Sequence, residues 1–227
     1  MGNTSQGDGD STIFTLSHHS FISQHQSVNR SITAAGLCLF SPSDSCPLTI
    51  NMNTVDRKLK LADNNRKVTH VKELQSYPDH LDRFNWIPQL LCENVLTGRC
   101  YWEVEWRGDV YISVSYREIG RRGGIRDCCF GFNDQSWSLR CSDDEGYSVW
   151  HNDRETFISS SSSSVSNRVA VYVDCPAGSV SFYRVSSDSL IHLHTFITTF
   201  THPLYAGFGF WSWSGSKSGS WVSLCRV

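Results

Sequence analysis

Short runs rich in β-branched and aromatic residues recur along this 227-residue chain from Pro47 to its C-terminus. Clusters of Gly, Asp, Asn and Ser separate the runs, and the apolar residues alternate within them instead of following the spacing of a helix. In Arg168–Asp174, for example, three valines alternate with residues of other types, which is typical of a strand with one packed face. The pattern predicts a fold built almost entirely from short strands.

The predicted strands follow one another with almost no amphipathic helix between them. This arrangement indicates antiparallel sheets stacked as a sandwich and disfavours βαβ units. A tight hairpin is expected at Asp174–Gly178, because Pro176 fixes one φ angle and Gly178 supplies a positive one. The only helix predicted is a short one at Pro88–Val95. The predicted strands are Leu59–Ala62, Lys67–Val71, Tyr101–Trp106, Val110–Tyr116, Cys129–Phe132, Ser136–Arg140, Ser148–His151, Arg168–Asp174, Ser179–Val185, His192–Phe196, Leu204–Phe210 and Trp221–Cys225.

The charge balance of the chain argues against nucleic acid and membrane surfaces as partners. Lys and Arg number 20, Asp and Glu number 22, and the two signs are mixed along the sequence, giving a formal net charge of −2. No field is therefore expected that would attract phosphates or anionic lipids. The sequence has no run of about 18 apolar residues, and its polar start, Met1–Asp10, does not resemble a secretory signal. We therefore expect a cytoplasmic protein.

The nine cysteines are predicted to be reduced and mostly buried thiols. They form no C-x-x-C pair and have no histidine at zinc-finger spacing, so a metal or disulfide framework is the less favoured alternative. No metal and no cofactor is expected. The cysteines are Cys38, Cys46, Cys92, Cys100, Cys128, Cys129, Cys141, Cys175 and Cys225.

Two segments differ in composition from the predicted β domain. Residues 1–46 are rich in Ser, His, Gln, Asn and Gly, and are expected to be a partly disordered tail or linker before a single domain at 47–227. A short strand or helix around Gly36–Phe40 remains open. The six serines of Ser159–Ser164 are too polar to enter a core and are expected to form a surface loop.

Five blocks of the sequence, in the same order, resemble the PRY/SPRY (B30.2) domain family. The most specific is Tyr101–Glu105, which matches the family's Y-W-E-V-E block without change. Two departures concern local turns and not the fold: Asn51 and Met52 replace Asp-Pro, and Cys175 and Pro176 replace Tyr-Glu. The other blocks are Leu48–Thr54 with Leu59–Leu61 and Arg66–Val68, similar to the PRY segment; Gly131–Leu139, similar to G-x-N-x-x-S-W-x-L; Val173–Tyr183, similar to the family's hairpin; and Pro203–Phe208, similar to its closing segment.

This resemblance implies a bent sandwich of two twisted antiparallel sheets, a concanavalin-like jelly roll, with PRY at about 47–97 and SPRY at about 98–227. It also implies a protein ligand, since such domains hold proteins in a shallow cleft between variable loops. They commonly end tripartite-motif ubiquitin ligases, butyrophilins and fish NLR-type immune receptors. We therefore expect the targeting domain of an innate-immune receptor or ubiquitin ligase, covalently part of a larger multidomain protein.

The resemblance also points to candidate ligand-binding residues in three places. The loop after the S-W-x-L strand lines the ligand cleft in family members, and two tryptophans oppose it, where large rigid aromatics suit binding hot spots. The PRY-to-SPRY connection and an arginine-rich loop complete the rim, and the arginines could meet an acidic patch on a partner. These residues are Arg140, Ser142, Tyr147 and Trp150 in the first loop, Trp211 and Trp213 opposite, and Asp82, Arg83, Phe84 and Arg122 at the rim.

Structural alternatives remain open for these residues. Each of the two opposing tryptophans could pack beneath the C-terminal strand, and the arginine run could be a solvated turn. Catalysis is not expected, because Glu103 and Glu105 share a strand face without a nearby nucleophile or base, and no recognised catalytic motif occurs. An enzyme would need a deep pocket with convergent titratable groups. The main alternative function is a structural or self-association domain that packs against its parent protein.

Overall fold

Thirteen strands form two stacked antiparallel sheets in the part of the chain that the structure, a computed structural model, describes: residues 41–158, 166–186, 189–211 and 218–226. The strands are β1 (Leu59–Ala62), β2 (Lys67–His70), β3 (Gln89–Leu96), β4 (Arg99–Arg107), β5 (Asp109–Tyr116), β6 (Ser136–Ser142), β7 (Gly146–His151), β8 (Arg154–Ile158), β9 (Arg168–Asp174), β10 (Ser179–Ser186), β11 (Ser189–Ile197), β12 (Leu204–Gly209) and β13 (Trp221–Leu224). The seven-stranded sheet has the order β1-β2-β13-β4-β9-β10-β11, and the six-stranded sheet has the order β3-β12-β5-β6-β7-β8. The predicted antiparallel β-sandwich is confirmed.

Helices are few in the described ranges. They are the 3-10 helix Pro42–Asp44 and the one-turn α-helix Ile125–Cys128. No helix among these residues is long and apolar enough to cross a membrane. The predicted tail up to residue 40, with its open element at Gly36–Phe40, and the predicted six-serine loop lie outside the described residues.

The main core lies between the two sheets, and the valine alternation of β9 contributes to it as predicted. Val169, Val171 and Val173 are fully buried in this core, whereas Tyr172 and Asp174 lie on the opposite face of the sheet. Each fully buried valine contributes about 1.5–3 kcal/mol to folding. The alternation therefore fixes which face of β9 points inward.

A second layer of packing covers the outer face of the six-stranded sheet. All eight residues of β5 are buried, so both faces of this strand are covered. The segment between β5 and β6 folds back over the sheet and places Phe130 above Gly207 of β12, where a Cβ atom would lie 2.6 Å from the Phe130 ring. The prediction of a strand at Cys129–Phe132 is wrong, because these apolar residues pack onto the sheet without joining it.

Strand β3 lies where the sequence pattern predicts a helix, Pro88–Val95. Its first four residues, Gln89–Cys92, are all buried, and the strand pairs with β12. Leu90 belongs to the core between the sheets and Leu91 to a cluster on the outer face. A strand covered on both faces lacks alternating polar residues, so its pattern resembles that of a buried helix. The helix prediction is wrong for this reason.

The hairpin between β9 and β10 forms at the predicted place. Gly178 has a φ of +67°, a conformation that side-chain-bearing residues adopt rarely. A Cβ atom at this position would also collide with the carbonyl oxygen of Thr198. Both the turn geometry and the close approach of the next segment therefore require glycine.

Cys46 and Cys100 form a disulfide, which corrects the prediction that all cysteines are reduced. The two residues are 54 positions apart in the sequence, with Cα atoms 5.4 Å apart. The backbone N–H of Cys46 donates to the Tyr101 carbonyl at 3.0 Å, so the segment before β1 runs beside β4. This pairing depends on tertiary contact and not on cysteine spacing. The other described cysteines are free thiols: Cys92, Cys128, Cys129 and Cys141, which are buried, and Cys175 and Cys225, which are half-buried.

Candidate functional site

Arg140, in β6, is held between two carboxylates. Its Nη2 atom lies 3.0 Å from Asp109 Oδ1, and its Nη1 atom donates to Glu145 Oε2. The Arg140 side chain is only 11% exposed, so water competes weakly for these bonds. Burial alone would lower the pKa of Arg140, but the bond to Glu145 and the charge of Asp109 raise it above its ordinary value. The guanidinium is therefore a fixed positive charge whose position the fold determines.

Ser142 and Tyr147 are buried and stabilise the surroundings of the β6–β7 turn. Ser142 Oγ accepts hydrogen bonds from the backbone N–H groups of Asp144 and Glu145, each at 3.3 Å. The Tyr147 hydroxyl donates to the Ser166 carbonyl at 2.7 Å, and burial raises the pKa of this hydroxyl. The structure gives these two predicted residues supporting positions beneath the surface.

Trp150 and Trp211 share one aromatic cluster on the outer face of the six-stranded sheet. Trp150 stacks on Phe132 with ring centroids 4.6 Å apart, and Trp211 stacks on Tyr111 at 5.9 Å. Trp211 also meets Phe132 edge-on at 4.9 Å. Both tryptophans are buried, so Trp211 packs inside the domain, but against Tyr111 and Phe132 and not beneath the C-terminal strand β13, which belongs to the other sheet. Trp213 lies outside the described residues.

A row of side chains crosses the outer face of the six-stranded sheet beside Arg140. Tyr111 of β5 lies opposite Arg140. On its other side Arg140 lies opposite Ser148 of β7, which in turn lies opposite Phe157 of β8. Directly opposed residues of antiparallel strands point to the same face, and Phe157 is 66% exposed. We name Arg140, Glu145 and Phe157 the β6–β8 surface.

Phe157 and Glu145 are the residues of this surface that are not among the predicted site residues, and Phe157 lies on a strand that was not predicted. Strand β8 is short, has three exposed residues and precedes the six serines, so it reads as part of a loop. A usable signal exists just before it. Asn152 and Asp153 have φ angles of +51° and +60°, and both residue types favour such turns between paired strands. The dipeptide therefore marks a hairpin that would have predicted β8.

Arg83, predicted at the rim, is buried and holds the segment between β2 and β3. Its guanidinium donates to the carbonyl oxygens of Val55 and Met52, at 2.5 and 3.0 Å. Its Nε and Nη2 atoms both donate to the Pro78 carbonyl, at 3.0 and 2.7 Å. Burial lowers the pKa of Arg83, and the nearby charge of Arg57 lowers it further. These bonds use the forked geometry of arginine, which lysine does not have.

Phe84 and Asp82 connect this segment to the loop after β5. Phe84 is buried edge-on against Phe130, with ring centroids 5.9 Å apart. The Arg121 guanidinium lies 4.5 Å from the centre of the Phe84 ring, and its Nε atom donates to the Asp82 carbonyl at 2.8 Å. The Asp82 carboxylate pairs with Arg117 at 3.1 Å. Both residues therefore fix the two segments to each other.

A cleft of about 560 Å³ opens beside these fixed segments. Three of the predicted rim residues line it, and of these Arg122 is exposed while Arg83 and Phe84 form buried parts of the wall. Its volume lies within the range of ligand-binding clefts. We name it the connection cleft, lined by Asp56, Arg57, Lys58, Leu74, Asp79, His80, Leu81, Arg83, Phe84, Asn85 and Arg122.

The predicted ligand residues thus divide between two surfaces. Phe84 belongs to a hydrophobic cluster with Phe130, whereas Trp150 and Trp211 belong to a different cluster with Tyr111. The β6–β8 surface lies beside the second cluster, and the connection cleft beside the first. The sequence predicts a single rim, whereas the residues that it names lie on two surfaces.

Titratable groups of chemical interest are paired or buried among the described residues. The Glu103 carboxylate is bound by Arg168 at 2.6 Å and by the Tyr101 hydroxyl. Burial raises the pKa of Cys92 to about 12, and burial together with a nearby acid raises that of Cys128 to about 11, so both thiols stay protonated near neutral pH. No group of three or more His, Cys, Asp or Glu side chains in the described ranges could hold a metal ion.

Comparison with protein families and curated proteins gives consistent matches. The family model described as PRY, the SPRY-associated domain, matches residues 48–96, and the SPRY domain model matches residues 99–221. Stonustoxin subunit beta of Synanceia horrida is 38% identical over 163 residues, which make up 72% of this chain and 23% of that protein. Tripartite motif-containing protein 16 of Mus musculus is 35% identical over 167 residues, 72% of this chain and 29% of that protein. This chain spans about a quarter of the length of these curated relatives.

Solved structures show the same fold. The stonustoxin structure superposes with a TM-score of 0.74 at 34% identity, covering 80% of this chain and 29% of that chain. The crystal structure of the TRIM65 PSpry domain superposes with a TM-score of 0.70 at 23% identity, covering 82% of this chain and 93% of that domain. The second match supports the fold alone, and it shows that a separately crystallised domain corresponds to most of the sandwich described above.

Proposed function

This chain belongs to the PRY/SPRY (B30.2) family, and from that premise we propose that it is a protein-recognition module that binds a protein ligand through strands β6–β8 and the turns that join them, instead of through loops alone. SPRY domains are typically protein-interaction domains and generally lack catalytic activity. In this proposal the β6–β8 surface is the ligand site. Trp150 and Trp211 support it from beneath, and Ser142 holds the turn at its edge.

The observation that carries the proposal is the exposed Phe157 ring on the same sheet face as the fixed charge of Arg140. Aromatic side chains contribute much of the binding energy at interface hot spots, because they bury a large area at small entropic cost. Arg140 is restrained by Asp109 and Glu145, so little side-chain entropy is lost when a ligand docks against it. An apolar anchor beside a restrained charge suits a protein ligand.

We further propose that the domain is the targeting end of a ubiquitin ligase or innate-immune receptor. The similarity to tripartite motif-containing protein 16 supports this context. The stonustoxin subunits are as similar, so the alternative of a structural or self-association domain that packs against its own parent protein is tested beside this one. The capture experiment below separates these alternatives, because only a targeting domain retains a separate protein.

A cytoplasmic location is part of this proposal, and the Cys46–Cys100 pair provides a test of it. Structural disulfides persist in oxidising compartments and are rare in the cytosol. Thiol-blocking extraction followed by mass mapping would show the state of the pair in cells. A reduced pair supports the cytosol, and an oxidised pair indicates an oxidising compartment.

Affinity capture with single-site variants tests the ligand site. Phe157→Asp should lose proteins that the wild-type chain retains from a cell extract, with binding reduced about tenfold or more. Ile197→Asp is the matched control, because Ile197 is 72% exposed on β11 of the other sheet. Proteins retained by wild type and by Ile197→Asp but lost with Phe157→Asp support the proposal. Equal retention by both variants would contradict the assignment of the site.

A further inference from the structure

Strand β8 forms one edge of the six-stranded sheet, so only one side of its backbone is paired. Within the described part of the chain it pairs with β7 alone, and no loop or turn there forms a backbone hydrogen bond with Arg154–Ile158. An edge in this state offers its backbone N–H and C=O groups to an added strand. The edge of β8 is therefore a place where another chain can extend the sheet.

The turn before β8 determines which of these groups face outward. Asn152 and Asp153 form a two-residue hairpin loop, with φ angles of +51° and +60°. The residues that flank such a loop, His151 and Arg154, oppose each other and exchange both of their backbone hydrogen bonds. The backbone groups of Arg154 therefore face β7.

Glu155 and Phe157 consequently present the outward backbone groups of β8. Hydrogen-bonded pairs alternate with unbonded pairs along an antiparallel ladder, so Thr156 and Ile158 bond to β7 in the same way as Arg154. The N–H and C=O groups of Glu155 and Phe157 point to the open side. An added antiparallel strand can form hydrogen bonds with both groups of each of these two residues.

The side chains of the same two residues lie on one face of the sheet, because side chains alternate along a strand. Phe157 is 66% exposed, and Glu155 is half-buried two residues before it. In an added strand, the residue directly opposite each of them would lie on this face, with Cβ atoms about 4.5–5.5 Å apart. An apolar side chain opposite Phe157 would cover its exposed ring.

The Glu155 carboxylate lacks a positive partner among the described residues. It forms no ion pair with them, and its Oε1 atom is buried without a hydrogen-bond partner there. Charged residues on an edge strand oppose indiscriminate pairing. This acid therefore disfavours most added strands and favours one that brings a basic side chain beside it.

We propose that the ligand of the β6–β8 surface binds as an added strand, an extended segment of the partner protein that pairs antiparallel with β8. The segment carries a large apolar side chain opposite Phe157 and, two residues later, a Lys or Arg opposite Glu155. This inference rests on the proposed function, because Phe157 belongs to both. It adds the class of ligand, a segment that is recognised through its backbone as well as its side chains.

A displayed library of random 12-residue linear peptides tests this proposal. The peptides are selected on the immobilised full-length chain and counter-selected on its Phe157→Asp variant. Enriched peptides should share a large apolar residue followed, two positions later, by Lys or Arg.

Methylation of one peptide backbone nitrogen at a time then tests the pairing itself. Successive N–H groups of a strand point to opposite sides. Affinity, measured by fluorescence anisotropy, should therefore fall about tenfold or more when the apolar or the basic residue is methylated. Methylation of the residue between them should change it little.

Two variants of the chain provide a matched comparison. Glu155→Pro removes an outward N–H group, which proline allows on an edge strand, whereas Glu155→Ala removes only the side chain. The peptides should bind Glu155→Pro about tenfold more weakly than Glu155→Ala. Circular dichroism checks that both variants keep the fold, and the methylated peptides test the proposal on the wild-type chain even where one variant does not.

The outcomes separate the ligand site from the way in which it binds. If no peptide distinguishes the wild-type chain from Phe157→Asp, the proposed ligand site is wrong and strand addition fails with it. Peptides that need Phe157 but tolerate methylation at every position, or lose affinity without alternation, would retain the site and overturn strand addition. Equal binding to Glu155→Pro and Glu155→Ala would contradict strand addition as well.

Discussion

The β6–β8 surface and the connection cleft both carry arginines, yet these arginines differ in what they offer to a partner. The terminal nitrogens of Arg140 are paired within the fold with Asp109 and Glu145, and its aromatic neighbours are buried. Arg122 is exposed and keeps donors available, beside exposed leucines. The difference shows that the neighbours of a charged residue, and not its type, decide whether it stabilises the fold or remains available for binding.

The largest expected effect is on the stability contributed by Arg140. Arg140→Ala removes one partner of a buried ion pair and takes from the buried Asp109 carboxylate its bond to the guanidinium, which should cost about 3–5 kcal/mol in the free energy of unfolding. Arg122→Ala is the control and should change this free energy by less than about 0.5 kcal/mol. Urea unfolding followed by tryptophan fluorescence measures both. A similarly small loss of unfolding free energy in both variants would contradict the conclusion that Arg140 stabilises the fold whereas Arg122 does not.

The next largest expected effect is the difference in stability between a variant in the wall of the connection cleft and a variant at its rim. Arg83→Ala leaves the carbonyls of Val55, Met52 and Pro78 without a donor and should destabilise the chain by about 2–4 kcal/mol. Arg57→Ala removes the pair with the fully exposed Asp79 and a long bond, 3.4 Å, to the Gln75 carbonyl, and should cost about 1 kcal/mol or less. Thermal unfolding of the two variants side by side gives the comparison. Equal losses would mean that Arg83 does not support the cleft from within.

A smaller effect concerns the layer between the two surfaces. Gly207→Ala places a Cβ atom 2.6 Å from the Phe130 ring, and displacing this ring should cost about 1–3 kcal/mol. In Gly209→Ala the nearest atom is 3.4 Å away, so this control should be close to neutral. Urea unfolding distinguishes the two variants. No change in the free energy of unfolding for Gly207→Ala would show that the Phe130 ring can move without cost and is not tightly packed on Gly207.

The smallest effect is a pH dependence that arises inside the cleft. Burial raises the pKa of Asp56 above its ordinary value of 3.8, so the folded state binds its proton more tightly than the unfolded state. Ionisation of Asp56 therefore reduces stability as the pH rises from 3.8 through the raised pKa. Asp56→Asn should be more stable than wild type at pH 7, and this gain should disappear below pH 3.8. A gain that persists in acid would contradict burial as its cause.

Much of the fold could be predicted because one face of most strands is packed and the other is not. The valines of β9 and the turn at Gly178 give local signals that tertiary contacts do not override. Two of the failures lie under or in the layer that covers the outer face of the six-stranded sheet. Strand β3 is covered on both faces, so its sequence does not alternate between apolar and polar residues. Cys129–Phe132 is apolar because it packs onto this face, although it is not a strand.

The candidate site could be predicted only in its location along the chain. The sequence identifies Arg83 and Arg122 as neighbours on the rim, but it cannot show that carbonyl groups surround one and solvent the other. Phe157 is missed because its strand is short and precedes the serine run. The Cys46–Cys100 disulfide is missed because the segment before β1 adds beside β4, a contact between distant residues.

The most direct test of the central claim is hydrogen–deuterium exchange of the full-length chain with and without a protein retained in the capture experiment. If the ligand binds at the β6–β8 surface, the backbone amides of β6, β7 and β8 should exchange more slowly in the bound state. These strands are Ser136–Ser142, Gly146–His151 and Arg154–Ile158. Amides of the seven-stranded sheet, including β11, should be unchanged. Protection confined to the seven-stranded sheet would contradict the claim that this domain recognises its ligand through the β6–β8 surface.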